Sequence, residues 1–259
     1  MRRRVAVVTG AGRGIGAAVV DELVRGGWRV VAVDACRDDP AIGYPLATEG
    51  DLDTVADRWH GAVTPIVADV RDQDAMDAAV ATAEAEYGGL DAAVAAAGVM
   101  AGGEPLWETS DATWDALFEV NVRGVLNLAR AAVPRLLANE PPRTGRFVAV
   151  ASAAAHRGLW RLAGYTAAKH AVLGLVRGLA ADLRGTGVTA TAVSPGSTDT
   201  AMLAATLAQY GLSDPAELAG DQDHLLAPEE VAAAVAWLCG PASAAVSGSA
   251  LHADGGFTL

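Results

Sequence analysis

Short, continuously apolar runs rich in valine and alanine alternate along this chain with longer amphipathic segments. Such runs predict β-strands, and the amphipathic segments predict the helices that connect them. Because the strands are apolar throughout, we expect both faces of the sheet to be buried. The pattern predicts an α/β fold, a Rossmann-type doubly wound parallel sheet with helices on both faces. The predicted strands are residues 5–8, 29–33, 63–68, 92–95, 147–150, 189–193 and 249–252, and the predicted helices are 15–25, 72–86, 111–138, 164–183 and 228–238.

Length and composition favour one domain. The chain has 259 residues, 52% of them hydrophobic, which suffices for a single large core. No internal repeat or linker interrupts it, so residues 1–259 are predicted to form a single domain. Two segments break the alternation: residues 35–60, a turn-rich insert, and residues 199–227, placed where a substrate lid could close. The alternative is that both segments are surface loops with no functional role.

Charge and cysteine usage exclude several classes of partner. The 31 acidic residues outnumber the 19 basic ones, and the formal net charge of -12 opposes binding to nucleic acid. Cys36 and Cys239 form no close pair and no metal-ligand spacing, so we expect no disulfide framework and no metal site. No apolar stretch approaches the roughly 18 residues of a spanning helix, and the apolar run after the basic start is too short for a signal peptide. We therefore expect a cytoplasmic protein that binds no membrane.

A glycine-rich segment directly follows the first predicted strand. Residues 9–16 read Thr-Gly-Ala-Gly-Arg-Gly-Ile-Gly and open the first predicted helix. Glycines allow the backbone to turn tightly and approach a pyrophosphate, whose charge is met by free N–H groups and by the helix dipole. The segment therefore predicts a dinucleotide site. Its candidate residues are Gly10, Gly12, Arg13, Gly14, Ile15 and Gly16.

Asp34 ends the second predicted strand, at the distance expected for a carboxylate that binds the adenosine ribose. Such a carboxylate can accept both ribose hydroxyls, whereas a 2′-phosphate would meet like charge there. The sequence therefore predicts NAD as the cofactor. Arg13 and Arg37 could hold a 2′-phosphate, which keeps NADP as the alternative.

Only one of the 19 basic residues is a lysine, Lys169, and Tyr165 lies four residues before it. On a helix this spacing places both side chains on one face, where they can meet. Tyrosine, whose pKa is ordinarily about 10, is a poor base near neutrality unless a neighbouring cation stabilises its phenolate. Lys169 can supply that cation. Ser152, thirteen residues before Tyr165, can hold a substrate oxygen next to the phenol.

The glycine-rich segment, Ser152, the Tyr165 and Lys169 pair and the Pro-Gly that follows the sixth predicted strand together resemble the classical short-chain dehydrogenase/reductase family over essentially the whole chain. The resemblance implies an NAD-dependent enzyme that transfers a hydride between a secondary alcohol or ketone and nicotinamide. It implies that Tyr165 is the general acid/base, that Lys169 lowers its pKa and binds the nicotinamide ribose, and that Ser152 stabilises the reacting oxygen. Asn121 matches the fourth catalytic position, an asparagine that helps to hold a water relay to the lysine.

The resemblance also implies further cofactor contacts. The residues after the third predicted strand match an adenine contact, and residues 195–200 match the segment that binds the nicotinamide carboxamide. The family's usual Asn-Asn-Ala-Gly is Ala-Ala-Ala-Gly at residues 95–98, so only backbone contacts can be kept there. The residues carried over are Asp69, Val70, Gly98, Pro195, Gly196, Thr198 and Thr200, together with Tyr165 and Lys169.

The insert at residues 35–60 points to one branch of this family. Tyr-Pro-Leu-Ala-Thr at residues 44–48, followed by Asp51 and Leu52, is similar to the carveol-dehydrogenase-like, mycofactocin-dependent branch. This similarity implies that NAD is held tightly, that the insert covers the adenosine end with Leu46 against the adenosine, and that electrons leave through the redox peptide mycofactocin. The alternatives are an ordinary dehydrogenase or ketoreductase with freely exchanging NAD(H), and a non-catalytic NAD(H)-sensing module.

Substrate and assembly are predicted more coarsely. The resemblance places Trp107, Trp160 and Met202 in segments that line the substrate cleft, although core packing would explain these residues equally well. An apolar pocket favours a hydrophobic alcohol or ketone, terpenoid or alicyclic. Members of the family commonly form homotetramers through the long helices that correspond to residues 111–138 and 164–183, and we expect the same assembly here.

Overall fold

The computed structural model describes residues 3–214, 216–219 and 222–259. Its strands are β1 (Val5–Thr9), β2 (Arg29–Asp34), β3 (Val63–Val67), β4 (Ala92–Ala95), β5 (Arg146–Val150), β6 (Thr189–Pro195) and β7 (Ala250–Ala253). They form one seven-stranded sheet in the order β3-β2-β1-β4-β5-β6-β7. Every neighbouring pair is parallel. The predicted parallel sheet is confirmed.

Helices connect the strands on both sides of the sheet. They are α1 (Gly14–Arg25), α2 (Glu49–Asp57), α3 (Gln73–Tyr87), α4 (Asp111–Phe118), α5 (Gly124–Ala138), α6 (Ala163–Asp182), α7 (Ala201–Tyr210), α8 (Ala216–Ala219) and α9 (Pro228–Cys239). Alternate residues of β1 serve the two layers: Val5 and Val7 pack with residues of α3, α5 and α6, whereas Ala6 and Val8 pack with α1 and α9. Burial on both faces explains why the central strands are apolar throughout.

The strand order places a crevice beside β1. The chain builds β2 and β3 on one side of β1 and then crosses to its other side to build β4. The loops that follow β1 and β4 therefore diverge at the carboxyl edge of the sheet, which is where ligands bind in open α/β folds.

One long predicted helix is interrupted in the structure. Residues 111–138 form α4 and α5, and a π-helical turn at Glu119–Arg123 separates them. The π turn spans only five residues, which is too short a segment for the apolar period to reveal a shift by one residue. The prediction of one continuous helix was therefore wrong at its centre.

The two interrupting segments contain helices that the pattern did not predict. In the insert, α2 begins after Thr48, whose hydroxyl accepts from the Asp51 N–H at 3.2 Å while the Asp51 carboxylate accepts from the Thr48 N–H at 2.8 Å. This capping box starts a helix too short and polar to give a clear periodic signal. The predicted lid contains α7 and α8, and its residues 215, 220 and 221 lie outside the described residues.

The edge strand β3 departs from the expected double burial. Val67 is 53% exposed, and Pro65 occupies a position that only an edge strand tolerates well, since proline cannot donate to a ladder. Burial of both faces therefore holds for the central strands and not for β3.

Candidate active site

The glycine-rich segment joins β1 to α1 at the crevice. Gly10 has a φ of +67°, and a Cβ there would lie 2.6 Å from the Ala97 backbone. A Cβ on Gly16 would collide with the Gly10 carbonyl oxygen. The residue before α1 is Arg13, with extended backbone and no side-chain cap hydrogen bond. The first-turn N–H groups of α1 are thus left without a side-chain cap, an arrangement that binds anions.

Asp34 lies at the carboxyl end of β2, as predicted. One carboxylate oxygen accepts from the Gly12 N–H at 2.9 Å, and the other accepts from the Cys36 N–H at 3.2 Å. Each carboxylate oxygen has a second lone pair, so the side chain can still accept from hydroxyl groups. The backbone bonds hold this acceptor beside the glycine-rich segment.

Asp69 belongs to an ion-pair network that the sequence did not reveal. Arg71 contacts Asp69 and Asp39 at 2.7 Å each, and Arg37 also contacts Asp69 at 2.7 Å. Burial by itself would raise the pKa of Asp69, but the hydrogen bonds from Arg71 and Arg37 outweigh it and lower the pKa to about 2. Arg37, a candidate for binding a 2′-phosphate, is therefore engaged by an acidic side chain.

Ser152, Tyr165 and Lys169 meet at one wall of the crevice. Ser152 follows β5, where its hydroxyl accepts from the Ala154 N–H at 3.1 Å and is hydrogen bonded to Tyr165. Tyr165 and Lys169 lie on α6 and are only 8% and 4% exposed. The Lys169 ammonium donates to the Val150 carbonyl oxygen at 3.0 Å and lies 5.7 Å from the centre of the Tyr165 ring. The predicted juxtaposition of these three residues is present.

Burial dominates the electrostatics of Tyr165 and Lys169 in the protein alone. Burial raises the pKa of Tyr165 to about 12, and the hydrogen bond with Ser152 offsets only part of the rise. Burial also lowers the pKa of Lys169 to about 8. In the protein alone, the phenol is thus stabilised in its neutral form. The lowering of the Tyr165 pKa by Lys169 that the resemblance implied stays a prediction, and in the protein alone desolvation of both groups is the larger effect.

Asn121 is fully buried in the π turn behind this wall. Its side-chain oxygen accepts from the Val99 N–H at 3.2 Å, and its amide nitrogen donates to the carbonyl oxygens of Val99 and Leu117 at 2.9 and 2.8 Å. A Cβ on Gly98 would lie 2.9 Å from the Asn121 side-chain oxygen and 3.4 Å from the Lys169 ammonium nitrogen. Asn121 therefore lies next to the lysine across Gly98.

The segment after β6 borders the same crevice and is held by a residue that was not among the sequence-based candidates. Gln222, which is buried, accepts from the Ser197 N–H at 2.8 Å and donates to the Ser197 carbonyl oxygen at 2.9 Å. Thr200 caps α7 by accepting from the Leu203 N–H at 3.3 Å. No local motif marks Gln222, because its partner lies 25 residues earlier in the chain.

Most of these groups line one cavity of about 750 Å³. Asn121, Gly12 and Gln222 are not part of its lining. Trp160 and Met202 line it, whereas Trp107 is 84% exposed and lies outside it. The remaining residues predicted to bind cofactor or act in catalysis all line the cavity: Gly10, Arg13, Gly14, Ile15, Gly16, Asp34, Leu46, Asp69, Val70, Gly98, Ser152, Tyr165, Lys169, Pro195, Gly196, Thr198 and Thr200.

Neither a metal-binding cluster nor a membrane-spanning helix is found among the described residues. They contain no group of three or more histidine, cysteine, aspartate and glutamate side chains that could hold a metal ion. None of their helices combines the length and the apolar character needed to cross a membrane.

The fold and the site together define a class of protein. An uncapped, glycine-rich helix start and a carboxylate at the end of the neighbouring strand open into one large cavity, and this arrangement fits a dinucleotide. At the cavity wall, a tyrosine, a lysine and a serine provide an acid/base group beside a hydroxyl donor. This is the architecture of a dinucleotide-dependent oxidoreductase.

Comparison with known proteins places the chain in a family. The family model that matches residues 10–258 is described as enoyl-(acyl carrier protein) reductase. An A-factor type gamma-butyrolactone 1'-reductase (1S-forming) of Streptomyces virginiae is 38% identical, over 99% of this chain and 96% of the relative. A (-)-trans-carveol dehydrogenase of Rhodococcus erythropolis is 36% identical, over 77% of this chain and 73% of the relative. The chain belongs to the short-chain dehydrogenase/reductase family, as the sequence resemblance implied.

A solved structure agrees with this assignment. The crystal structure of carveol dehydrogenase from Mycobacterium avium in complex with NAD matches with a TM-score of 0.91 and 28% identity, covering 99% of both chains. The resemblance to carveol dehydrogenases is thus confirmed by one relative in sequence and one in structure.

Proposed function

We propose that this protein is an NAD-dependent oxidoreductase that interconverts a secondary alcohol and the corresponding ketone. The observation that carries the proposal is the meeting of Ser152, Tyr165 and Lys169 on the wall of a cavity that also contains the glycine-rich segment and Asp34. One similar relative is named a dehydrogenase and another a reductase, and a similar structure holds NAD. We assign NAD and not NADP because Asp34 would repel a 2′-phosphate and Arg37 is paired with Asp69.

The catalytic roles follow from the chemistry of the side chains. NAD, when bound, supplies a positively charged nicotinamide that accepts the hydride from the carbinol carbon. Tyr165 takes the hydroxyl proton of the alcohol in oxidation and returns it to the ketone oxygen in reduction. The Ser152 hydroxyl donates to the same substrate oxygen, and Asn121 keeps the backbone around Gly98 in place beside Lys169. Held at fixed positions, these groups reduce the entropic cost of the reaction.

The raised pKa of Tyr165 suits the reduction of a ketone, because this direction needs a protonated phenol. With a pKa of about 12, the phenol carries its proton at neutral pH and can donate it to a ketone oxygen. Oxidation requires the phenolate, which is costly in the protein alone at about 1.4 kcal/mol for each unit between the pKa and the working pH. The charge on Lys169 lies close enough to reduce that cost once the site is filled.

The substrate end of the cavity is apolar. Met100, Leu159, Leu162 and Met202 line it near Tyr165. Apolar walls with a few polar groups select hydrophobic ligands in a fixed orientation. We therefore propose a hydrophobic, terpenoid or alicyclic secondary alcohol or ketone as the substrate.

Replacing Tyr165 by phenylalanine tests the function. The Tyr165→Phe variant should lose about 10² to 10⁴-fold in turnover, the usual contribution of a general acid/base, while binding of NADH is retained. Turnover is measured as alcohol-dependent NADH formation, and binding as the fluorescence of bound NADH. Tyr87→Phe, on α3 away from the cavity, is the matched control and should behave like the wild type. Unchanged activity of Tyr165→Phe would refute the assigned mechanism.

We further propose that NAD is retained between turnovers and that mycofactocin accepts the electrons. The similarity of the insert motif supports this, as does the position of Leu46 on the cavity wall, where we place it against the adenosine. Denaturing protein purified without added cofactor should release NAD or NADH in an amount close to one per chain. A protein that releases no dinucleotide would favour an ordinary dehydrogenase with exchanging cofactor. Recovered NADP would contradict the choice of NAD over NADP that was based on Asp34.

We also propose that the single catalytic domain assembles as a homotetramer in the cytoplasm. The exposed face of α6 carries Gly174 and Gly178, where an added Cβ would meet nothing within 4 Å of its own chain, so another helix could approach closely. Both cysteines are free thiols, which suits a reducing compartment. Sedimentation of the purified protein measures the number of chains, and a monomer at micromolar concentration would contradict the assembly.

A further inference from the structure

The insert is attached at two separate places on the cavity. Near its start, Asp39 accepts from the Arg71 guanidinium at 2.7 Å, and the same guanidinium holds Asp69 after β3. Further along, Tyr44 reaches the loop that follows β4. The insert therefore extends from the β3 edge of the cavity toward its catalytic wall.

Tyr44 makes two directed contacts. Its hydroxyl accepts a hydrogen bond from the Met100 N–H at 3.1 Å, and the Arg13 guanidinium lies 5.9 Å from the centre of its ring. Met100 is two residues beyond Gly98, and Arg13 is the residue that precedes α1. One side chain of the insert thus connects the loop after β4 with the glycine-rich segment across the cavity.

The same part of the insert belongs to the apolar cluster of the catalytic wall. Ile42 is 6% exposed and lies in one cluster with Met100, Leu162 and Tyr165, and Tyr44 packs against that cluster. Burial raises the pKa of Tyr44, although the Met100 hydrogen bond and Arg13 oppose the rise, so its phenol stays neutral. Moving the insert away would break the Met100 bond and expose Ile42 beside Tyr165.

We propose that Tyr44 is a positioning residue that holds the insert closed over the catalytic end of the cavity, and that breaking its contact with Met100 is a step in dinucleotide release. This inference rests on the proposed dinucleotide site and adds to it a specific residue that packs against the apolar cluster containing Tyr165. It also makes Tyr44 part of the wall against which the substrate is placed, since Tyr44 and Met100 both line the cavity.

Release of NADH from Tyr44 variants tests the inference. Protein loaded with NADH is mixed with a large excess of NAD, and the loss of bound-NADH fluorescence gives the release rate. Tyr44→Phe keeps the ring and loses only the hydroxyl, so release should become about fivefold faster, the change expected from one net hydrogen bond of about 1 kcal/mol. Tyr44→Ala also loses the ring contacts and should release faster still, with a higher KM for the alcohol.

The chain offers a closely matched control in Tyr87. Its hydroxyl is hydrogen bonded to Thr64 at 2.6 Å, and the Arg29 guanidinium lies 5.9 Å from its ring centre, outside the cavity. Tyr87→Phe and Tyr44→Phe each lose one hydroxyl contact, so both should lower the unfolding temperature slightly, but only Tyr44→Phe should change release. Release from Tyr44→Phe at the wild-type rate would overturn the inference and leave the dinucleotide site standing. A wild-type protein that neither contains a dinucleotide as purified nor binds added NADH would overturn the proposed function itself.

Discussion

At the scale of single residues, Lys169 carries its charge where water does not reach it. Its ammonium donates to the Val150 carbonyl oxygen, and burial lowers its pKa from 10.5 to about 8. Below about pH 8 both the folded and the unfolded chain hold this proton, and the cost of burying the charge is present in full. Between about pH 8 and 10.5 the folded protein releases the proton while the unfolded chain keeps it. Stability should therefore rise with pH across this window.

The Lys169→Met variant tests whether the buried lysine makes the stability of the fold rise with pH. Because methionine does not titrate, the free energy of unfolding of the variant should lack the rise that the wild type shows between about pH 8 and 10. Urea unfolding at several pH values in that window measures both slopes. Tyr165→Phe is the control, since the pKa of Tyr165 is raised to about 12 and its contribution is lost only above about pH 10, in the opposite direction. Parallel slopes for wild type and Lys169→Met would show that the lysine keeps its ordinary pKa.

At the scale of elements, the π turn between α4 and α5 places Asn121 behind the catalytic wall. Successive residues of a regular helix are rotated by about 100° about its axis, so the one extra residue of the π turn shifts the direction of the side chains that follow it by about that angle. The π turn therefore decides which side chain faces Gly98. The Asn121 amide then meets both backbone groups of Val99 and the Leu117 carbonyl oxygen. This joins the helix layer to the loop after β4.

Asn121→Ala should weaken both the fold and the reaction. It leaves buried backbone groups of Val99 without their partner, which costs about 1–3 kcal/mol in the free energy of unfolding. Turnover should also fall, since the backbone around Gly98 loses its support next to Lys169. Asn139→Ala, which removes a side-chain bond to the Leu90 carbonyl oxygen at the far end of α5, should lower stability but not turnover. Equal turnover in the two variants would show that Asn121 has only a structural role.

The insert shows how far element prediction extends. Its motif was visible in the sequence, and so was its position after β2. Its helix α2 and its two attachment points were not, because α2 depends on one capping box and the attachments join Asp39 to Arg71 and Tyr44 to Met100, 32 and 56 residues apart. Local patterns carry no information about such pairs.

At the scale of the whole molecule, the strand order brings the site together. Residues after β1, β2, β4, β5 and β6 reach one cavity because all these strands point the same way and end at the same edge of the sheet. The cofactor end and the catalytic wall lie on opposite sides of β1, where the order of the strands reverses. A parallel sheet with this order therefore explains why distant motifs act as one site.

The sequence by itself determined the strand and helix alternation, the glycine-rich helix start, Asp34 at a strand end, and the Tyr165 and Lys169 pair on one helix face. These features depend on residues that are close in the chain, where period and spacing decide which side chains meet. Only the tertiary structure decided the π turn, the Gln222 contact with Ser197, the reach of Tyr44 to Met100, and the raised pKa of Tyr165. Each of these depends on burial or on a partner far away in the chain, and packing alone brings such groups together.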